Sequence, residues 1–372
     1  MSKKKAAVGH DRLKRGSFCG FGSLLLLAFA LVFLLDSPTN WPSSYLSIED
    51  RDNTWPEVDA PASARRKLAF LFIARNRMPV DTVWDLFFHE AAKEFFSIYI
   101  HSRPGFIYNK RTTACRYFYN RQISTSILVD WGEASMIEAE KLLLVEALKD
   151  PANDRFVLVS DSCIPLYNFT YIYNYLMTSP KSFVDSFFDA KESRYNPKMA
   201  PVIQRENWRK GSQWFALKRD HAAIVAADAD VFRMFQRHCK RRPLPEFWRQ
   251  QSMNGDPSKQ HNCIPDEHYV QTLLAIKGLE DEVERRGITF SLWDQSGRIQ
   301  ERKGWHPVTF ALSDANVDLI RGIKNITSIN YEAEYRTEWC TSNGTAQPCF
   351  LFARKFTRHA AMKLLNLTLQ AI

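Results

Sequence analysis

Short apolar runs alternate with longer amphipathic stretches from residue 67 onward, and this alternation restricts the folds open to the chain. The apolar runs have the length of strands, whereas the stretches between them have the length and spacing of helices. The first strands are predicted at 68–74, 96–101, 127–130 and 156–160, and the first helices at 80–93 and 135–148. Strands that alternate with helices predict βαβ units, an α/β fold and a mostly parallel central sheet.

Later segments continue this pattern less regularly, with strands predicted at 214–217, 288–293 and 350–353 and helices at 222–237 and 267–276. Parallel sheets bind their ligands beyond the carboxyl ends of the strands. Polar residues follow each of the first four predicted strands, so these positions are the candidate site. They are Arg75-Asn76-Arg77, His101-Ser102-Arg103, Asp130-Trp131-Gly132 and Asp161-Ser162-Cys163.

The N-terminal region predicts a membrane anchor. Residues 18–35 carry no charge, and as a helix they would span about 27 Å, close to the thickness of a thin bilayer. Basic residues precede this run and acidic residues follow it, so the positive-inside rule keeps residues 1–17 in the cytosol. The alternative is a cleaved signal peptide, although the residues before Asp36 offer no small-x-small cleavage site.

The remaining regions follow from this topology. Residues 36–66 contain four prolines among polar residues, which is typical of a stem, and residues 67–372 form the luminal domain. The chain is 45% apolar and 13% aromatic, so this domain can bury a large core. The net charge is +9, of which residues 1–17 supply +5. The basic residues therefore indicate membrane topology, with the lipid bilayer as partner of residues 18–35, and predict no nucleic-acid partner.

Six of the seven cysteines follow the apolar run, which permits up to three disulfides in an oxidising lumen. Short loops favour the pairs Cys239 with Cys263 and Cys340 with Cys349. Four Asn-x-Thr sequons fall on the same side of the membrane and support a luminal location weakly. They begin at Asn168, Asn325, Asn343 and Asn366.

A single Asp-x-Asp sequence, Asp228-Ala-Asp230, lies in the predicted luminal domain. Such pairs can hold a metal ion when they follow a strand. Here the surrounding residues have a helical pattern, which would point the two carboxylates about 200° apart. The sequence therefore predicts a solvated surface at this pair and no metal site.

Several motifs in order resemble the Core-2/I-branching β-1,6-N-acetylglucosaminyltransferases, in particular their plant relatives of the brittle-culm type, over residues 67–372. The motifs are RFVLVSDSCIPL at 155–166, RYNPKM at 194–199, WRKGSQWF at 208–215, PDEHY at 265–269, YRTEWC at 335–340 and CFLFARKF at 349–356. This resemblance implies a GT-A-like, Rossmann-like domain in the Golgi lumen. It also implies inverting transfer from a UDP-sugar to a glycan or glycoprotein acceptor, with no metal or other cofactor.

By the same resemblance, Glu267 is the catalytic base. A sugar hydroxyl is a weak nucleophile at neutral pH, so a carboxylate within hydrogen-bond reach must take its proton as the oxygen attacks the anomeric carbon. The alternative interpretation is an acidic residue at a helix start, because Pro265 and Asp266 are helix-start signals. The two interpretations are compatible, since a helix start presents its side chains rigidly.

The resemblance also implies the substrate contacts. Lys355 and Arg336 would neutralise the departing diphosphate, with Arg354 as an alternative to the second. The other donor contacts would be Arg75, Asn76, His101, Ser102 and Arg103, although the animal enzymes have His-Val-Asp where this chain has His101-Ser102. The acceptor contacts would be Trp293, Arg194 and Lys198.

The departure at His101-Ser102 leaves the sugar open. N-acetylglucosamine is one donor sugar, and xylose or glucuronic acid is the alternative on the same fold. A second alternative is a catalytically silent Golgi glycan-binding protein. A membrane-anchored hydrolase is disfavoured because no Gly-x-Ser-x-Gly or His-Glu-x-x-His sequence is present.

Overall fold

The computed structural model describes residues 4–5, 66–189, 194–239, 263–293, 307–342 and 345–370. The strands in these ranges are β1 Lys4–Lys5, β2 Lys67–Ile73, β3 Phe96–His101, β4 Asn153–Ser160, β5 Ile164–Pro165, β6 Ser182–Phe183, β7 Phe187–Phe188, β8 Arg209–Lys210, β9 Ala216–Lys218, β10 Val283–Glu284, β11 Thr289–Ser291, β12 Ser328–Tyr331, β13 Arg336–Trp339, β14 Thr341–Ser342, β15 Thr345–Ala346 and β16 Phe352–Arg354. The α-helices are α1 Asp81–His89, α2 Ser135–Leu148, α3 Phe169–Thr178, α4 Arg219–Ala227, α5 Asp230–His238, α6 Tyr269–Ile276, α7 Val317–Lys324 and α8 Arg358–Gln370.

The central sheet has six strands in the order β10-β6-β9-β4-β2-β3. β2 runs parallel to β3 and β4, and β10 runs parallel to β6, whereas β9 is antiparallel to both of its neighbours. The predicted α/β class and mostly parallel sheet are therefore confirmed.

Helices cover both faces of β2, which explains its unbroken apolar sequence. Phe70 and Phe72 pack on Trp84 of α1, with ring centroids 5.9 and 4.9 Å apart. Leu71 points to the other face, where it belongs to the same apolar cluster as Leu144 of α2. All five side chains are fully buried, and burial of a large apolar side chain stabilises a fold by about 1.5–3 kcal/mol.

A second sheet, in the order β11-β16-β5, brings the C-terminal motif to the central sheet. β5 begins four residues after β4 ends and pairs antiparallel with β16, so that Ile164 lies opposite Ala353. β11 pairs in parallel with β16, which sets Ser291 opposite Arg354. The residues after β16 therefore lie beside the loop that follows β4.

Two predicted elements are wrong, and each has a local cause. Residues 127–130 form no strand, because the N–H of Ile127 donates to Nε2 of His101 at 3.1 Å instead of to a neighbouring strand. The helix predicted at 222–237 is two helices, α4 and α5, that separate at Asp228. Its carboxylate accepts the N–H groups of Val231 and Phe232 at 3.2 and 2.9 Å, which caps α5.

This cap corrects the prediction for the Asp-x-Asp pair. Asp228 is not a freely solvated side chain, since it also accepts the hydroxyl of Tyr269 at 2.8 Å. Asp230 is exposed, as predicted, with 78% of its side chain accessible. The two carboxylates therefore have separate structural surroundings.

The membrane anchor stays a prediction because residues 18–35 and most of the stem lie outside the described ranges. Within those ranges, no helix has both the length and the apolar character to cross a membrane. β1 pairs antiparallel with β12, Lys4 opposite Tyr331, at an edge whose free backbone groups can accept an extended segment.

Both predicted disulfides are present, Cys239 with Cys263 and Cys340 with Cys349. The remaining described cysteines, Cys115 and Cys163, are free and buried, so the third disulfide that the count permits does not form between them. Burial raises the pKa of both thiols, which keeps them protonated.

The sequence separations of the two disulfides, 24 and 9 residues, predict different contributions to stability. A disulfide restricts the unfolded chain more when it closes a longer loop. We expect C239A/C263A to lower the free energy of unfolding by about 3.4 kcal/mol and C340A/C349A by about 2.6 kcal/mol. Denaturant titration of the purified domain measures both values, and a larger loss for the shorter loop would contradict the expectation.

Candidate active site

The loops after the three parallel strands are tied together at one edge of the sheet. The N–H of Ala74 donates to the carbonyl of His101 at 3.0 Å, and the N–H of Arg103 donates to the carbonyl of Arg75 at 3.0 Å. The N–H of Asp161 donates to the carbonyl of Ile73 at 3.2 Å. The structure thus brings together the strand-end residues that the sequence selected after β2, β3 and β4.

These strand-end residues differ in their access to a ligand. Arg75 and Arg103 are exposed and Asn76 is half-buried, so their side chains can reach a ligand at this edge. His101 and Ser102 are buried. Burial lowers the pKa of His101 to about 4, and its neutral ring accepts the N–H of Ile127, so in this structure His101 holds a loop in place.

Glu267 lies in a short 3-10 turn, Pro265–Glu267, directly before α6. The N–H of Gly211 donates to its carbonyl at 2.9 Å, and Nζ of Lys210 donates to its Oε2. Burial raises the pKa of Glu267, but the attraction and hydrogen bond of Lys210 outweigh this effect and hold the pKa below its usual value. Glu267 is therefore ionised, as a general base must be.

Gly211 is required where the WRKGSQWF segment approaches the loop after β6. A Cβ atom at this position would lie 1.5 Å from the carbonyl oxygen of Asp185, well inside van der Waals contact. The carboxylate of Asp185 accepts the N–H of Ser212 at 2.7 Å and the hydroxyl of Tyr331 at 2.7 Å. This close approach fixes the backbone that holds Glu267.

His268, the residue after Glu267, is buried and held by several contacts. The ring of His268 stacks on Trp208 at 4.5 Å, and its Nδ1 lies 2.9 Å from the carbonyl of Ile264. Its Nε2 lies 3.3 Å from Asp189, which also accepts from Arg194 at 3.0 Å. Arg194, a predicted acceptor contact, thus belongs to the surroundings of Glu267.

Two further acids, Asp266 and Glu140, are buried near Glu267. Among the described residues, one oxygen of each has no hydrogen-bond partner, and the other oxygen of Glu140 accepts from Gln213 at 3.1 Å. Burial and the charge of Glu267 raise the pKa of Asp266 to about 7. Burial and the charge of Asp266 raise the pKa of Glu140 well above its usual value. At neutral pH Glu140 is therefore protonated and Asp266 is partly protonated, whereas Glu267 is ionised.

Arg354 and Lys355 place two cations at the same edge. The guanidinium of Arg354 lies 4.5 Å from the centre of the Trp214 ring, and its buried Nε has no hydrogen-bond partner within the described ranges. Burial lowers its pKa to about 10, although the charges of Asp161, Asp266 and Glu267 oppose this change. Burial also lowers the pKa of Lys355, and the charge of Arg354 adds to the effect.

Arg336 has different partners from Lys355. Its guanidinium donates to Glu334 at 2.7 Å, to Glu338 and to the carbonyl of Ser186 at 2.9 Å, and it lies 4.1 Å from the centre of the Tyr331 ring. In this structure the predicted diphosphate contact is engaged in an ion-pair network. Arg354, the alternative from the sequence, is the arginine whose charge interacts with that of Glu267.

The other predicted contacts are more dispersed. Trp293 is half-buried and follows β11 by two residues, at the end that lies beside Arg354. Lys198 is exposed in the turn Pro197–Met199, beside His238. Asn325 and Asn366 are exposed, and exposed Asn168 caps α3, its Oδ1 accepting the N–H of Tyr171 at 2.9 Å. Asn343 lies outside the described ranges, and glycosylation of all four stays a prediction.

Sequence reasoning missed the roles of several residues around Glu267, namely Lys210, Asp189, His268, Asp266 and Glu140. Lys210 lies in the motif WRKGSQWF, and Asp266 and His268 lie in the motif PDEHY, so these motifs could have indicated all three residues. Asp189 and Glu140 had no such signal, because an acid in a loop and an acid on a helix are normally solvated.

Comparison with known proteins relates this site to a family. A family model described as "Core-2/I-Branching enzyme" matches residues 68–324. The chain is also 61% identical over 314 residues to a protein of rice, Oryza sativa subsp. japonica, that is called "Glycosyltransferase BC10". The matched region covers 84% of this chain and 78% of the rice protein. Both findings agree with the resemblance carried by the motifs, and the first includes Glu267.

The close approach at Gly211 predicts a large effect of one methyl group. We expect G211A to lower the free energy of unfolding by about 1–3 kcal/mol or more, because the added Cβ would overlap the carbonyl of Asp185. The matched control is G322A in α7, where an added Cβ meets no atom within 4 Å. That change should stabilise the protein by about 0.5–1 kcal/mol, since alanine favours a helix more than glycine does. Equal denaturation midpoints for the two variants would contradict this assignment.

Proposed function

The chain belongs to the Core-2/I-branching enzyme family of glycosyltransferases, and on this premise we propose that it inverts an anomeric centre without a metal ion, using Glu267 as the base. The observation that carries the proposal is an ionised Glu267 whose charge interacts with Arg354, which lies with Lys355 beside Asp161 at the carboxyl end of β4. A donor would lie along that edge, beside Arg75, Asn76 and Arg103. An acceptor would lie on the side of Glu267.

The proposed reaction is a single displacement. Glu267 takes the proton of an acceptor hydroxyl while that oxygen forms a bond to the anomeric carbon of the donor. The bond from that carbon to the diphosphate oxygen breaks on the opposite face, and the nucleoside diphosphate leaves with the electron pair. The glycosidic bond that forms has inverted configuration.

Fixed cations would stabilise the negative charge that develops on the leaving group. Lys355 and Arg354 support this role because the charges of both oppose the rise that burial causes in the pKa of Asp161 at the end of β4. The charge of Arg354 also interacts with that of Glu267, and its Nε has no hydrogen-bond partner among the described residues. Arg336 is less suited to this role, because its guanidinium is already paired with Glu334 and donates to the carbonyl of Ser186. We therefore propose Lys355 and Arg354 as the diphosphate contacts, with Arg336 as the second choice.

We propose N-acetylglucosamine as the first donor sugar to test and xylose or glucuronic acid as the alternatives, all as UDP-sugars. Trp293 and Arg194 are the proposed acceptor contacts, and Lys198 is more remote. We further propose that residues 18–35 anchor the protein in the Golgi membrane with the catalytic domain in the lumen. The charge asymmetry around that apolar run supports the orientation.

The variant E267Q tests the proposed base. The amide keeps the shape of the side chain but cannot take a proton, so we expect turnover to fall by about 10²–10⁴-fold. The assay is transfer by the purified domain from a set of UDP-sugars to a panel of wall glycans and glycoproteins, with thermal unfolding as a check on folding. Unchanged turnover would exclude Glu267 as the base, and no transfer by wild type would favour a glycan-binding protein.

The leaving-group site makes a separate prediction. Transfer should proceed in EDTA, whereas R354M and K355M should each lower turnover by about 10²–10³-fold, the usual effect of removing a group that stabilises developing charge. R336M compares the second-choice residue with these two: it breaks the ion pairs with Glu334 and Glu338 and should lower stability more than turnover of the folded fraction. Loss of transfer in EDTA would exclude the metal-independent mechanism.

A further inference from the structure

Lys210 contacts the proposed base through a partly buried ion pair. Its Nζ donates to Oε2 of Glu267, and the two side chains are only 16% and 25% exposed. Within the described part of the chain, Oε1 of Glu267 has no such partner. The ammonium therefore distinguishes the two oxygens, because it occupies one and leaves the other available to a substrate.

The backbone fixes this contact independently of the side chains. β8 pairs antiparallel with β7, so that Lys210 lies opposite Phe187. The next residue, Gly211, donates its N–H to the carbonyl of Glu267. Strand pairing on one side and a backbone hydrogen bond on the other leave Lys210 little freedom to move away from Glu267.

Other titratable groups also face Glu267, and their effects partly cancel. Arg194 and Arg354 of β16 favour the ionised carboxylate, as His268 does when protonated, whereas ionised Asp266 disfavours it. Beyond Asp266 lies the buried Glu140 of α2. Lys210 is the only one of these groups for which a hydrogen bond to the carboxylate is seen in the described ranges. Without it, Glu267 would be one of three acids in a poorly solvated region.

We propose that Lys210 is a positioning residue for the base: its ammonium fixes Oε2 of Glu267 and directs Oε1 toward the acceptor hydroxyl. This inference rests on the proposed function of Glu267. Lys210 itself takes no proton, because it is already charged.

The consequence is a defined pH dependence. A nearby cation lowers the pKa of a carboxylate, so removing Lys210 should raise the pKa of Glu267. The base would then become protonated at a higher pH, and the acid limb of kcat/KM, which reports the free enzyme, would move upward. A shift of one pH unit corresponds to a tenfold loss of rate at a pH on that limb.

The experiment compares K210M with wild type in the transfer assay, as kcat and KM over the pH range in which the protein stays folded. We expect the acid limb to move up by about one pH unit in K210M and to return in K210R, which restores the positive charge. The matched control is K218M. Lys218 forms a similar ion pair with Glu282, in which the lysine side chain is 19% exposed and the glutamate side chain 48%. The acid limb of kcat/KM for K218M should coincide with that of wild type.

Several results would overturn the inference. An unmoved acid limb in K210M would do so, and so would an equal shift in K218M. K210Q is a second variant in case K210M does not fold, and failure of both to fold would mean that Lys210 serves the fold instead of the base.

A test without turnover separates this inference from the proposed function. The pH titration of the Glu267 carboxyl carbon in ¹³C-glutamate-labelled protein, assigned with E267Q, should move upward in K210M. A wild-type enzyme without transfer activity would refute the proposed function. An unchanged titration in K210M would refute the role of Lys210 alone.

Discussion

The burial of β2 on both faces is the constraint on which the rest of the structure depends. Its side chains alternate between two apolar clusters, so a shift by one residue would exchange the two sets. The register with β3 and β4 is therefore fixed, and the carboxyl ends of all three strands meet at one edge. The loops that carry Asn76, Arg103 and Asp161 inherit their positions from this core.

Around that edge, the balance of charge in a poorly solvated region determines protonation. Four cations, Lys210, Arg194, Arg354 and Lys355, approach acids that burial would otherwise neutralise. Glu267 has direct contact with Lys210 and is ionised, whereas its neighbour Asp266 lacks such a contact and its pKa rises to about 7. Two adjacent carboxyls thus differ in protonation because only one has a cation within hydrogen-bond distance.

The sequence predicted the elements whose hydrophobic period was regular and the site residues that belonged to recognised motifs. β2, β3, β4 and α2 lie where the pattern indicated, and both disulfides join the predicted cysteines. The failures arose where a side chain replaced a backbone partner. His101 accepts a hydrogen bond from the N–H of Ile127, and Asp228 accepts two from N–H groups in the first turn of α5. Neither contact can be inferred from hydrophobic periodicity.

The site residues that the sequence missed depend on long-range contacts. Lys210 reaches Glu267 across 57 positions of the chain, and the adjacent Gly211 donates its N–H to the carbonyl of Glu267. The same glycine lets this segment approach the carbonyl of Asp185, so it helps to position the backbone that carries Lys210. The motif WRKGSQWF contains both residues, but only the fold explains why a glycine must follow Lys210.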